Sequence, residues 1–157
     1  MKEELGRALG RIASGVYVVT ADSDTGPHGM LATFVAQVAF EPPVVTVAIA
    51  AQRPILNELE GKTITVNVLS KSNMDIFKAF ARPSKDPVDE RFAGLNTIEN
   101  EEGSVAFADV VAFLNCEVKQ LVPTGDHVLA LCEAVSGRSV NIESEPMIHL
   151  RKNGFSY

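Results

Sequence analysis

The chain has 157 residues, 46% of them hydrophobic and 22% charged, with a formal net charge of −6. That balance suits one globular domain with a single core and excludes a disordered chain; the acidic excess gives no bulk attraction to nucleic acid, and no apolar run is long enough to span a bilayer. Met1-Lys2-Glu3-Glu4-Leu5 puts acids where a secretion signal carries cations, so a cytoplasmic location is expected.

The spacing of Leu5, Leu9 and Ile12 predicts an amphipathic helix over residues 2–13, ended by Gly15. Val16 to Thr20 is β-branched and aromatic, hence a strand, and residues 22–29 read as a turn region. A long second strand is predicted over 29–40, stopped by Glu41-Pro42-Pro43. The third strand, 44–50, is apolar almost throughout, so both of its faces should be covered. Pro54 suits the first turn of a short helix to about residue 60, with Ile55, Leu56 and Leu59 inward. Residues 62–69 form the fourth strand. Ser72-Asn73-Met74-Asp75 marks a helix start, and Ile76, Phe77 and Phe80 give that helix its buried stripe.

Residues 82–109 are polar, hold two prolines and show little periodicity, which suits a lid or binding loop or short strands below the resolution of pattern. Lys and Arg recur between Lys78 and Arg91, a local cationic patch or a solvated loop. Residues 111–122 and 128–135 read as a long hairpin turning at Pro123-Thr124-Gly125-Asp126, and 146–150 as a short last strand. Six or seven strands in neighbouring runs, with three short helices, argue for an antiparallel barrel and against a doubly wound sheet. No repeat divides the chain, so residues 1–157 form one domain.

Several chemistries find no support. Gly61-Lys62-Thr63 precedes a strand and has Leu56 where a phosphate loop needs glycine. No Gly-x-Gly-x-x-Gly follows a strand. His28, His127 and His149 lack metal-ligand spacing, so no metal is expected. Cys116 and Cys132 sit in strand text, and buried free thiols are the expectation.

Four segments carry a resemblance: residues 9–21 (Leu-Gly-Arg-Ile-Ala-Ser-Gly-Val-Tyr-Val-Val-Thr-Ala), residues 29–43, Thr63 to Ser70, and Gly125-Asp126-His127 with the strand that follows to Val135. In this order and spacing they resemble the flavin reductase-like, FMN-binding split barrel family. Arg91-Phe92-Ala93-Gly94 and His149-Leu150-Arg151-Lys152 are similar to stretches in the C-terminal flavin reductase domains of diflavin flavoproteins. The chain is then either a free-standing reductase or an excised domain.

The resemblance implies a mainly β fold: a six- to seven-stranded antiparallel split β-barrel of Greek-key type with short peripheral helices. It implies an NAD(P)H:flavin oxidoreductase that passes hydride to FMN, with FAD as the alternative flavin and NAD(P)H as co-substrate. It further implies a homodimer and an acceptor protein such as a monooxygenase or di-iron domain. A non-enzymatic FMN-binding electron-transfer module and a flavin-free sensing barrel are the rival readings. Carried over residue by residue, Leu31, Ala32, Thr33 and Phe34 would line the flavin, with Gln37 further along. Ala48, Ile49 and Ala50 would offer backbone groups, and Gln52 and Arg53 would lie near the polar end. Thr33, Arg53, Lys85 and Arg91 would hold the phosphate. His127 would stand on the nicotinamide side, and Phe155 and Tyr157 could cover the ring. Relatives often carry a hydroxyl residue where this chain has Leu31 and Ala39, which leaves fewer or differently placed phosphate contacts on that strand. Without the resemblance, the same alanines and valines read as barrel core.

Overall fold

A computed structural model describes residues 1–84 and 87–157. Helix α1 (Lys2–Gly10) leads into a short strand β1 (Ser14–Gly15), then β2 (Tyr17–Ser23), β3 (Gly26–Ala32), β4 (Val35–Phe40) and β5 (Pro43–Ala50). A 3-10 turn (Pro54–Glu58), β6 (Thr63–Val68) and helix α2 (Met74–Phe80) follow. Beyond a second 3-10 turn (Glu90–Phe92) come β7 (Thr97–Ile98), β8 (Ala106–Phe107), β9 (Ala112–Pro123), β10 (His127–Ser139) and β11 (Ile148–His149). Seven strands form one antiparallel sheet in the order β3-β2-β6-β9-β10-β5-β4. The pairs β1–β11 and β7–β8 are two-stranded ribbons beside it.

The strand order fixes the shape. β3 and β4 are joined by only Thr33 and Phe34, yet they lie at opposite edges of the sheet. Two residues reach about 7 Å, so the sheet must curl until its edges meet. At the link, the Ala48 amide donates to the Phe34 carbonyl at 2.9 Å, which carries the β4–β5 pairing into the connection. The single strand expected over 29–40 is therefore two strands, broken at Thr33-Phe34. Pattern alone missed the break because apolar text runs across it.

Two apolar clusters explain why β2 and β6 are buried on both faces. Inside the barrel, Val47, Ile49, Ile64, Val66, Val118 and Cys132 are almost wholly buried. Outside the wall, Val18 and Leu69 pack with Ile76 and Phe80 of α2 and with Phe107 and Val110. Each such side chain contributes about 1.5–3 kcal/mol by leaving water. The polar segment 82–109 owes its order to amide side chains on the sheet. Asn67 Nδ2 donates to the carbonyls of Val18 (3.2 Å) and Val105 (3.1 Å), and its Oδ1 accepts from the Phe107 amide at 3.0 Å. Asn115 and Asn100 exchange bonds of 2.8 and 2.9 Å beside Thr65. In its described part, that segment is a cover pinned to the barrel wall, carrying β7 and β8.

Three local expectations shift. α1 ends at Gly10, not near residue 13. The helix expected after Pro54 is a 3-10 turn, still with Leu56 and Leu59 inward. Asn73 makes no cap bond to α2; its Oδ1 accepts from the Ser70 amide and its Nδ2 donates to the Asp109 carbonyl.

Candidate functional site

The seam leaves a cleft of about 320 Å³, inside the range of small-molecule sites. One wall is β3 and its exit, with Leu31, Ala32 and Thr33. The other is the end of β5, with Ala48, Ile49 and Ala50. Short alanine side chains on both walls keep the gap open and bring the backbone near anything that enters. Phe77 and Phe80 of α2 form the floor. Phe80 reaches it only because residue 29 is glycine, since a Cβ there would stand 2.3 Å from the Phe80 ring.

Two polar groups in this apolar slot lack partners. The Thr33 hydroxyl is buried with no hydrogen-bond partner among the described residues, a condition that costs about 1–3 kcal/mol unless something fills it. Arg53 lines the cleft with its side chain exposed; among the described residues its guanidinium has no hydrogen bond or ion pair.

The far end is closed by an aromatic and cationic cluster. The Phe34 ring lies 5.8 Å from His127 and 5.7 Å from Tyr157, with the Arg151 guanidinium 4.9 Å above it. His127 Nδ1 is 2.7 Å from Asp126 Oδ1, and Nε2 is 2.7 Å from the Tyr157 hydroxyl. With Nδ1–H donated to the carboxylate, Nε2 is left to accept from the phenol. The hydrogen bond from His127 holds the Asp126 carboxyl below the usual range. Partial burial, reinforced by Asp126 and opposed by Arg151 and Arg53, pushes the Tyr157 phenol up. Tyr157 therefore stays a hydrogen-bond donor at neutral pH.

Helix α1 sets the position of Tyr157. The Gly154 amide donates to the Gly6 carbonyl at 2.7 Å and the Arg151 amide to the Gly10 carbonyl at 3.2 Å. A Cβ on Gly10 would stand 2.6 Å from the Arg151 carbonyl oxygen. The spacing Gly6-x-x-x-Gly10 is the sequence signal for this groove, and it is legible only once the C-terminal segment that fills it is known.

Leu31, Ala32, Thr33, Ala48, Ile49, Ala50 and Arg53 thus share one cleft. Phe34 and His127 join it through Tyr157. Gln37 does not: it lies on exposed β4 and donates to the Ala39 carbonyl. Gln52 is exposed and off the cleft wall. Lys85 lies outside the described residues. Arg91 departs from the free phosphate-binding cation that the resemblance implies. It is 5% exposed and bonded to Asp89 (2.6 Å), the Gly29 carbonyl (2.5 Å) and the Arg82 carbonyl (2.8 Å). Sequence reasoning gave no site role to Phe77, Phe80, His149 and Arg151, the first two because they read as plain helix core. No three His, Cys, Asp or Glu side chains among the described residues are grouped to hold a metal, and no described helix is long and apolar enough to cross a membrane.

Residues 9–156 match the family described as flavin reductase like domain. Diflavin flavoprotein A 1 of Synechocystis sp. PCC 6803 is 33% identical over 158 residues, covering 100% of this chain and 28% of that protein. The chain thus spans little more than a quarter of that curated relative. Among solved structures, the NADH:FAD oxidoreductase of Streptomyces globisporus C-1027, in complex with NAD and FAD fragments, superposes with a TM-score of 0.79 at 27% identity, covering 92% of this chain and 85% of that one. The flavin reductase PheA2 superposes at 0.76 with 28% identity, covering 92% and 90%.

Proposed function

Because the chain belongs to the flavin reductase-like domain family, we propose that it is an NAD(P)H-dependent flavin oxidoreductase that seats FMN, or FAD by the same ring, in the seam cleft. One observation carries the reading: a narrow apolar slot that holds an unpartnered buried hydroxyl and an unpaired arginine. An isoalloxazine ring needs an apolar slot with a few fixed polar groups, and the phosphate on the ribityl chain of FMN needs a cation. A flavin held there would supply the redox chemistry, accepting hydride from a nicotinamide.

The chain's own residues bind and orient. The short alanine side chains of β3 and β5 would leave room for the ring between the walls, and Phe77 and Phe80 would exclude water there. Thr33 offers its hydroxyl to a ring carbonyl or nitrogen. Arg53 takes the phosphate. The His127–Tyr157 pair bounds the side on which the nicotinamide stacks.

A homodimer is part of the reading. Edge strand β4 exposes Val38 and Phe40, the latter 88% exposed, and an unpaired apolar edge invites a second copy. The reduced flavin would pass to a cytoplasmic acceptor such as a monooxygenase or di-iron domain.

The visible spectrum of the purified protein, followed by NADH and NADPH oxidation with added FMN, tests the proposal. Flavin binding with steady turnover supports it. Binding without turnover makes the protein an electron-transfer module, and no binding of any flavin ends both readings.

A further inference from the structure

The seam cleft has a third polar group without a partner. The His149 ring lines the cleft, is half-buried and has no hydrogen bond or ion pair among the described residues. Backbone bonds on both sides fix its place. The Met147 amide donates to the Leu69 carbonyl at 2.8 Å and the Arg151 amide to the Gly10 carbonyl at 3.2 Å, while His149 itself pairs with Ser14 of β1. Side chains alternate along such a strand, and exposure alternates with them: Pro146, Ile148 and Leu150 face solvent, while Met147, His149 and Arg151 are half-buried. The inner face runs from the apolar cluster at Met147, past His149 in the cleft, to Arg151 over the Phe34 ring.

Few groups in the cleft can carry charge. Besides His149, only Arg53, beyond β5, and Tyr157, in the C-terminal tail, line it as titratable or charged side chains; among the described residues no carboxylate does. From the neighbouring elements, β1 brings Ser14 and Gly15 opposite the His149 strand, and α2 brings Phe77, Phe80 and Ala81. Arg151, two residues along, donates to the Gly154 and Leu9 carbonyls beside Phe34. In an FMN complex the phosphate would occupy Arg53. Tyr157 stays neutral near pH 7, because partial burial pushes its phenol up. Imidazole is the side chain that changes charge in that range.

Hydride transfer creates a demand for such a group. Hydride carries two electrons and one proton, so a neutral flavin that accepts it becomes an anion and the nicotinamide becomes a cation. Once the oxidised nicotinamide leaves, a negative charge remains in an apolar slot, which is costly unless paired. We infer that His149 takes up a proton from solvent when flavin in the seam cleft is reduced, and that its imidazolium stabilises the reduced anion there. The inference rests on the flavin reading above. Two electrons and two protons then enter the protein and its flavin together, one proton with the hydride and one at the imidazole.

The test compares the FMN-loaded parent with His149→Gln, whose amide keeps a polar group and cannot take a charge. The midpoint potential against pH counts the protons taken up per two electrons, and titrations with oxidised and with reduced FMN give the affinity for each. Near neutral pH the parent should take up two protons and the variant one. Oxidised FMN should bind both proteins alike, and reduced FMN should bind the variant about tenfold more weakly, the equivalent of one pKa unit. That gap should close in alkali, where the imidazole stays neutral in both redox states. A proton taken from solvent by the flavin itself would appear in parent and variant alike, so equal proton counts and equal affinities overturn the inference. An NMR titration of the His149 ring in the parent, its signal identified by elimination with His28→Ala and His127→Ala, decides the matter if the Gln variant misfolds. Its midpoint should move about one pH unit or more upward on flavin reduction, and an unmoved midpoint overturns the inference. A parent that binds no oxidised FMN ends the flavin reading and this inference together, whereas one that binds FMN and shows no difference ends the inference alone.

Discussion

His127 Nε2 and the Tyr157 hydroxyl, thirty residues apart in the chain, meet at 2.7 Å across the end of the cleft. The bond ties the start of β10 to a segment that α1 holds in place, so the two side chains act as one boundary of the site. Removing either should loosen the other. His127→Ala and Tyr157→Phe are each expected to raise the KM for NAD(P)H about three- to tenfold, the scale of one net hydrogen bond, with FMN affinity nearly unchanged. The double variant should be no worse than the weaker single. Additive losses in KM would separate the two residues.

Asp89 and Arg91 carry a second expectation. Their side chains are almost wholly buried and paired at 2.6 Å, and Asp89 Oδ2 also accepts from the Gly29 amide at 3.0 Å. Burial pushes the Asp89 carboxyl up, but bonds from Arg91 and from the amides of Gly29 and Arg91 outweigh it, so the group titrates below its ordinary 3.8. A lowered folded-state value means the carboxylate stabilises the fold above about pH 4 and loses that contribution as pH falls through the lower folded value. Asp89→Asn, which leaves a buried guanidinium uncompensated, should cost about 3–5 kcal/mol in urea unfolding at pH 7. The gap between variant and parent should narrow in acid. A constant gap from pH 7 down to pH 2 would remove the linkage.

The same pair shows where sequence stops being informative. Arg91 resembles a family position and lies in a cationic stretch, and nothing in its neighbours marks it as buried. Its burial depends on the Gly29 carbonyl, sixty-two residues away. The strands were legible because β-branched text bounded by Gly and Pro is a local signal, and the cleft walls were legible because family resemblance marks β3 and β5. The break at Thr33-Phe34 was hidden, since it follows from closing the barrel and not from any breaker residue. Phe77 and Phe80 looked like ordinary helix core, which they are on one side. The floor of the cleft is their other side, and only the curled sheet reveals it.

Cys116 and Cys132 are both free and buried. Burial pushes the Cys116 thiol up to about 11; burial and then the nearby Cys116 push Cys132 up to about 12. Neither forms appreciable thiolate near pH 8, and neither is within reach of a reagent. Under native conditions a thiol reagent should therefore modify neither, and in denaturant it should modify both. Stoichiometric labelling of the folded protein on mixing would contradict their placement in the barrel interior.

Arg53 should separate phosphate from ring recognition. A charge-assisted bond is worth about 1.5–3 kcal/mol, so Arg53→Ala is expected to weaken FMN roughly tenfold to a hundredfold while riboflavin changes little. Riboflavin has the ring and no phosphate, and it isolates the cleft walls. An equal loss for both ligands would place Arg53 on the ring instead.

Thr33→Val gives opposite signs in two measurements. The buried Thr33 hydroxyl has no partner among the described residues, and valine keeps nearly the same shape without the polar atom. In the ligand-free protein the substitution removes an unsatisfied group, which should leave stability unchanged or raise it by about 1 kcal/mol. With flavin bound, the parent hydroxyl gains the partner it lacks and the variant cannot, so riboflavin affinity should fall about three- to tenfold. A hydroxyl that served only the barrel would lower stability when removed and leave affinity alone. Higher stability with weaker ring binding is the signature of a polar group held in reserve for a ligand. Thermal unfolding without flavin, paired with riboflavin titration of the same two proteins, distinguishes the cases.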